Sequence, residues 1–264
     1  MNKKKSAAGY VVSFIIIVLL IAFPAIAKML GASNEVVKEL FYTLLGIIGI
    51  IAINKIYGTD FKFRGKDVLK GIISASGLVF IPMILLTFII SYKQPDIPFL
   101  QALPSVLIAF VIAAGAGLSE EFILRGVLFN TFRYRFGEDR KSIVKAVIFS
   151  SVIFGLLHLI NLIENPILVI TTLSQVGYAI EIGIVLGCIY YITNNIWVCA
   201  IFHGLFDFAA FICGCFYSQH VDKVNRTEDT SILSGIISVA IWIIFVVIEL
   251  ILLHKEFKKR GIEN

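Results

Sequence analysis

Charge is what this chain has least of. Only 16% of its 264 residues are Asp, Glu, Lys or Arg, while 58% are hydrophobic, a balance that excludes an ordinary soluble domain and leaves room for several membrane spans. Cysteine is scarce as well. The four, Cys188, Cys199, Cys213 and Cys215, all fall in apolar runs, where cysteine behaves as a small hydrophobe. Cys213-Gly214-Cys215 is not a zinc spacing, and its two thiols point to different helix faces. Internal repeats, low-complexity tracts and a second domain are also missing, so residues 1–264 are read as one integral membrane domain. The net charge of +5 does not make a nucleic-acid surface, because 17 of the 23 basic residues sit in four short segments: Lys3 to Lys5, 55–70, 133–145 and 255–260. That distribution follows the positive-inside rule.

Eight apolar runs are present, at about 8–30, 36–54, 68–92, 100–132, 143–162, 166–192, 196–217 and 231–254. Most are close to the ~20 residues that a span requires. The expected fold is all-α, a multi-pass transmembrane helical bundle of about eight spans, with both termini inside (N-in and C-in). The first run, after Lys3 to Lys5 and with Ala25-Ile26-Ala27 following Pro24, imitates a cleavable secretory signal but exceeds the usual apolar length, and is read as a retained helix. The segments 31–34, 91–99, 161–166 and 218–230 then face outward.

Three charges interrupt the fourth run, in Gly115-Ala116-Gly117-Leu118-Ser119-Glu120-Glu121-Phe122-Ile123-Leu124-Arg125. At roughly 2.5–3.5 kcal/mol each near a helix centre, together they oppose insertion by close to ~10 kcal/mol, which anchoring alone does not require. Glu121 and Arg125, four apart and in the favourable order, form an intrahelical pair. Glu120 lies about 100° around the helix and has no charge partner within it. It must find partners on other helices or take up a proton. The small residues 113–117 allow a neighbouring backbone to come close.

Further ionisable residues lie in other runs: His158 in the fifth, and His203-Gly204-Leu205-Phe206-Asp207 in the seventh, where the spacing puts His203 and Asp207 on one face. At ~1.5 Å per residue, Glu120 lies roughly 19 Å, His158 about 21 Å, Asp207 about 17 Å and His203 about 11 Å from the basic loops. The four share one layer, and they suffice either to activate water by general base catalysis or to hold a divalent metal. Glu181 is a weaker candidate for a polar groove, Gly183 and Gly187 resemble a small-xxx-small contact, and Glu249 reads as a snorkelling residue near its helix end.

Glu120-Glu121-x-x-x-Arg125, Phe154-x-x-x-His158 and His203-x-x-x-Asp207, in that order on three helices, resemble the motifs of the CAAX protease and bacteriocin-processing (CPBP, or Abi) intramembrane proteases. The similarity covers about residues 100–215. It implies an endopeptidase whose site is sunk in the membrane and opens to the cytoplasm. Carried over by motif, Glu120 would be the general base and His158 would position the water. His203 and Asp207 would bind the oxyanion or, in a metalloprotease, help hold Zn2+ or another divalent metal together with Glu120 and His158. Glu121 and Arg125 would be supporting. Prenyl-protein endopeptidases commonly have Asn at the last position. An ionised Asp207 repels an oxyanion where Asn donates to it, so Asp207 would be protonated, orient His203, or ligate a metal.

The expected function is hydrolysis of membrane-associated or lipidated peptides or proteins in contact with membrane lipid, in a multi-pass protein of the bacterial plasma membrane and without a nucleic-acid partner. CAAX-type processing, bacteriocin maturation and self-immunity all fit. A non-catalytic immunity or peptide-binding protein is the alternative. An ion- or proton-coupled transporter is disfavoured because paired, interrupted helices are lacking.

Overall fold

The computed structural model describes residues 3–29, 34–92, 94–217 and 228–262, and those residues form an all-helical bundle. Among the described residues, seven helical stretches are long and apolar enough to cross a membrane, and a bent helix pair passes the same test as a broken span or a re-entrant loop. Large apolar side chains such as Phe14, Ile48, Leu85, Leu107 and Ile236 stand exposed on the bundle's outside. In water such a surface would be untenable, whereas against lipid it is the favourable one.

The helices are α1 (Lys3–Met29), α2 (Glu35–Tyr57), α3 (Gly65–Ile72), α4 (Ala75–Ser91), α5 (Phe99–Glu121), α6 (Asn130–Phe136), α7 (Arg140–Leu157), α8 (Asn161–Glu164), α9 (Val169–Thr193), α10 (Ile196–Ile212), α11 (Ile232–Ala240) and α12 (Ile243–Lys259). Polar side chains set several boundaries. Asn34 accepts from the Val36 and Val37 amides to start α2, Asp139 accepts from Ser142 N to start α7, and Asn195 accepts from Trp197 N to start α10. Asn194, at φ 49°, closes α9 in the left-handed region. The bent pair is α3 with α4, which meet at 70° where Ser74 caps the second helix. The apolar run at 68–92 is therefore not one continuous helix.

A sequence-level expectation fails at Glu249. It does not snorkel. Its side chain is fully buried, and Ser76 Oγ donates to its Oε2 at 2.5 Å. The bend before α4 carries Ser76 inward to meet it, a long-range partner that helix position alone does not reveal.

Between α5 and α6 the chain stays helical but widens into a π-helix over Phe122–Phe129, with every residue buried. Such a stretch is rare and often marks a functional site. Widening displaces backbone bonding, and Asn130 answers it: its Nδ2 reaches the Arg125 carbonyl at 2.8 Å, the Gly126 carbonyl at 3.0 Å and Tyr190 Oη at 2.9 Å.

Candidate active site

Two helices meet at a pair of glycines, and the site is built on that contact. A Cβ added to Gly117 of α5 would come within 2.5 Å of the Ala200 carbonyl oxygen and the Gly204 amide of α10, so only glycine lets these backbones touch. The small residues ahead of Glu120 thus do what their size suggests. One turn further on, the approach places His203 of α10 against both glutamates of α5.

His203 is held by Glu121. Its Nδ1 donates to Glu121 Oε1 at 2.8 Å. The same oxygen accepts from Arg125 Nη1 at 2.6 Å, and Arg125 Nη2 donates to the Gly183 carbonyl of α9 at 2.8 Å. Glu121 is 0% and Arg125 1% exposed. The expected intrahelical pair is therefore present, and it forms the base of a wider network that clamps α5, α9 and α10. An ionised carboxylate only accepts, so the Nδ1 hydrogen is fixed by this bond and Nε2 is the end turned to the reactive side.

At that end lie the other two acids. His203 Nε2 is 3.4 Å from Glu120 Oε2 and 3.7 Å from Asp207 Oδ2. The sequence leaves Glu120 without a partner on its own helix, and the structure supplies one from α10. Unlike Glu121, Glu120 keeps 34% of its side chain accessible. Adjacent residues thus receive opposite environments from the turn of the helix between them.

His158 arrives from α7, at the point where the helix tightens into the turn His158–Ile160. Its Nδ1 sits 3.1 Å from the Phe154 carbonyl, which can only accept, so this nitrogen donates. The Phe154 ring lies 5.0 Å from the His158 ring, 5.6 Å from the His203 ring and 5.8 Å from the Arg125 guanidinium, so one buried aromatic packs against all three. His158 and Glu120 line a common cavity of about 140 Å3, with Ser119, Tyr42, Glu39 and Asn161 among its other walls. Several waters fit a space of that size beside a carboxylate and an imidazole.

Glu39 was not singled out by the sequence, where Asn34-Glu35-x-x-Lys38-Glu39 reads as the ordinary polar start of a helix. Ser119 Oγ donates to its Oε2 at 3.5 Å, and Gly115 leaves the space that its side chain passes through. Glu181 does not join this site; it lies outside the cavity walls, with Oε2 buried and unpartnered.

The donors do not fit a metal centre. Among the described residues, no group of three or more His, Cys, Asp or Glu side chains is arranged to hold a metal ion. Glu120 and Asp207 both approach the same nitrogen of His203, while His158 turns one nitrogen to its own helix. No chemical step is therefore derived through a metal.

With this geometry in view, the comparison with known families is specific. Residues 102–209 match the family described as Type II CAAX prenyl endopeptidase Rce1-like. The matched segment runs from α5 into α10 and contains Glu120, Glu121, Arg125, His158, His203 and Asp207, while Glu39 precedes it. No curated protein and no solved structure matches the chain. The match bears out the motif resemblance and points to a multi-pass membrane protease acting on a peptide or protein.

Proposed function

Starting from a core that matches the type II CAAX endopeptidases, we propose that this chain is a glutamate-dependent intramembrane endopeptidase that cleaves membrane-associated or lipidated peptides in a bacterial plasma membrane. The observation that carries the reading is Glu120: it faces a cavity shared with His158 and has an imidazole, itself fixed by a buried ion pair, at 3.4 Å.

In the proposed reaction Glu120 takes a proton from a water in the cavity while the water oxygen adds to the scissile carbonyl carbon. His158 positions that water. The developing oxyanion is met by His203 Nε2 acting as a donor, and Asp207 Oδ2, 3.7 Å from that nitrogen, orients the ring. Collapse breaks the C–N bond, and the proton held by Glu120 passes to the leaving amine, giving a carboxylate and an amine with no other reactant. Asp207 in place of Asn thus serves by orienting His203 instead of touching the oxyanion itself.

The test is a comparison of peptide termini in cells carrying wild type or Glu120→Gln. Gln keeps shape and hydrogen bonding but removes the base, and a lost general base lowers rates by about 10²- to 10⁴-fold. New termini should vanish with the variant. Termini that are identical in the two strains while both proteins are made would refute proteolysis and favour a peptide-binding immunity protein.

A further inference from the structure

The position of the cavity along the helices bears on the substrate. Its walls come from the late part of α1 (Leu20, Pro24), the first turns of α2 (Lys38, Tyr42) and the end of α7 with the turn after it (His158, Asn161). The basic segments sit at the other ends of these same helices: Lys4 and Lys5 open α1, Lys55 closes α2, and Arg140 and Lys141 open α7. The cavity and the basic connections therefore occupy opposite halves of the bundle.

On the basic side Glu120 is backed by packed apolar residues. The π-helix Phe122–Phe129 that follows Glu121 is buried throughout, and Ile123 and Val127 pack with Ile16 of α1 and with Leu45 and Ile53 of α2 into one apolar cluster. Leu124 and Leu128 seal against Phe154 and Ala179 in another. A peptide coming from the basic face would have to part both clusters. From the other face it meets partly exposed polar groups, with Tyr42, Asn161 and Lys38 before Glu120.

Basic connections are retained on the cytoplasmic side. We infer that the catalytic cavity is loaded from the extracytoplasmic face, and that its substrates are exported or outer-leaflet peptides in place of cytoplasmic prenylated carboxyl termini. The substrate class rests on the proteolytic reading above; the direction of loading does not. It also sets aside the cytoplasmic opening that the family resemblance implies, because that opening and a cytoplasmic amino terminus cannot both hold for this cavity.

Orientation is tested by single cysteines in a background with Cys188, Cys199, Cys213 and Cys215 replaced by Ala or Ser. Glu35→Cys marks the first turn of α2 at the cavity end, and Lys66→Cys marks the basic end at the start of α3; both positions are exposed. With a membrane-impermeant maleimide on intact cells, Glu35→Cys should label and Lys66→Cys should label only after permeabilisation. The reverse pattern overturns the proposal. A substrate arm compares termini in exported and cytoplasmic fractions between wild type and Glu120→Gln: changes among exported peptides support the assignment, and changes confined to cytoplasmic proteins overturn it. If neither fraction changes, proteolysis and the substrate class fall together, and the maleimide pattern still decides the direction of loading.

Discussion

Replacing Arg125 with Met removes the support on which His203 rests. The guanidinium makes a 2.6 Å bond to Glu121 and a 2.8 Å bond to the Gly183 carbonyl from a position 1% exposed, and Glu121 Oε2 has no partner even in the wild type. Without Arg125 the Glu121 carboxylate is left with His203 alone in an apolar interior. Removing one member of a buried ion pair destabilises by about 3–5 kcal/mol, and that is the expected loss, measured by reversible unfolding in mixed micelles. Arg125→Lys keeps the charge but cannot span Glu121 and Gly183 with a planar fork, so the loss should fall to about 1–3 kcal/mol. The sign of the interaction is read from a third protein: Glu121→Gln combined with Arg125→Met strands no charge and should be more stable than Arg125→Met alone. An Arg125→Met variant within about 0.5 kcal/mol of wild type, or a double variant that loses the sum of the two single changes, would refute the buried network.

Glu39→Gln should lower turnover while leaving unfolding unchanged within about 0.5 kcal/mol, because Glu39 is a partly exposed cavity wall rather than a packed core group; assaying peptide cleavage beside stability separates the two. Gly117→Val drives side-chain atoms into the backbone of Ala200 and Gly204, which cannot rotate away, so a loss of about 1–3 kcal/mol should accompany loss of cleavage as α5 and α10 separate. Asp229 caps α9 from a distant connection, accepting from the Ile170 and Thr171 amides and the Thr171 hydroxyl at 2.5–2.9 Å. Desolvation raises its pKa, but these bonds outweigh it and hold the carboxyl down at about 2 from an ordinary 3.8. A depressed pKa means that the cap is complete above pH ~4 and is lost as pH falls towards 2. Amide exchange at Ile170 and Thr171 should rise over that window in wild type and show no such step in Asp229→Asn.

The bundle is legible in the sequence because lipid imposes long apolar runs: among the described residues seven of the eight runs correspond to helices long and apolar enough to cross, and the run at 68–92 corresponds to the bent pair. What the runs hide is continuity. The 70° bend at Ser74 and the π-helix after Glu121 depend on caps and on Asn130 reaching back to two carbonyls, none of which alters hydropathy. At the site, helical spacing finds the Glu121–Arg125 pair, and the stretch 113–117 foretells a close contact. It does not say which helix arrives there, so the bonds from His203 to Glu121 and from Ser119 to Glu39 escape it. Glu39 escapes entirely because a glutamate in the second turn of a helix is the commonest of polar placements.

The two neighbouring glutamates show why burial and chemistry are assigned by rotation rather than by residue type. Glu121 turns inward and shares one oxygen between Arg125 and His203; it serves structure by fixing the imidazole. Glu120 turns about 100° away into the cavity, meets the other nitrogen of the same imidazole at 3.4 Å, and keeps a path to water. A one-residue insertion before Ser119 would carry Glu120 into the buried place of Glu121 and Glu121 into the buried place of Phe122, so the base would lose its access to the cavity. Adding an alanine between Leu118 and Ser119 should therefore abolish cleavage even where helix content, followed by circular dichroism, is unchanged, and a second insertion that brings the register no closer to a full turn should not restore it. Retained cleavage in the single insertion would mean that the distinction between these two carboxylates is not what the site depends on.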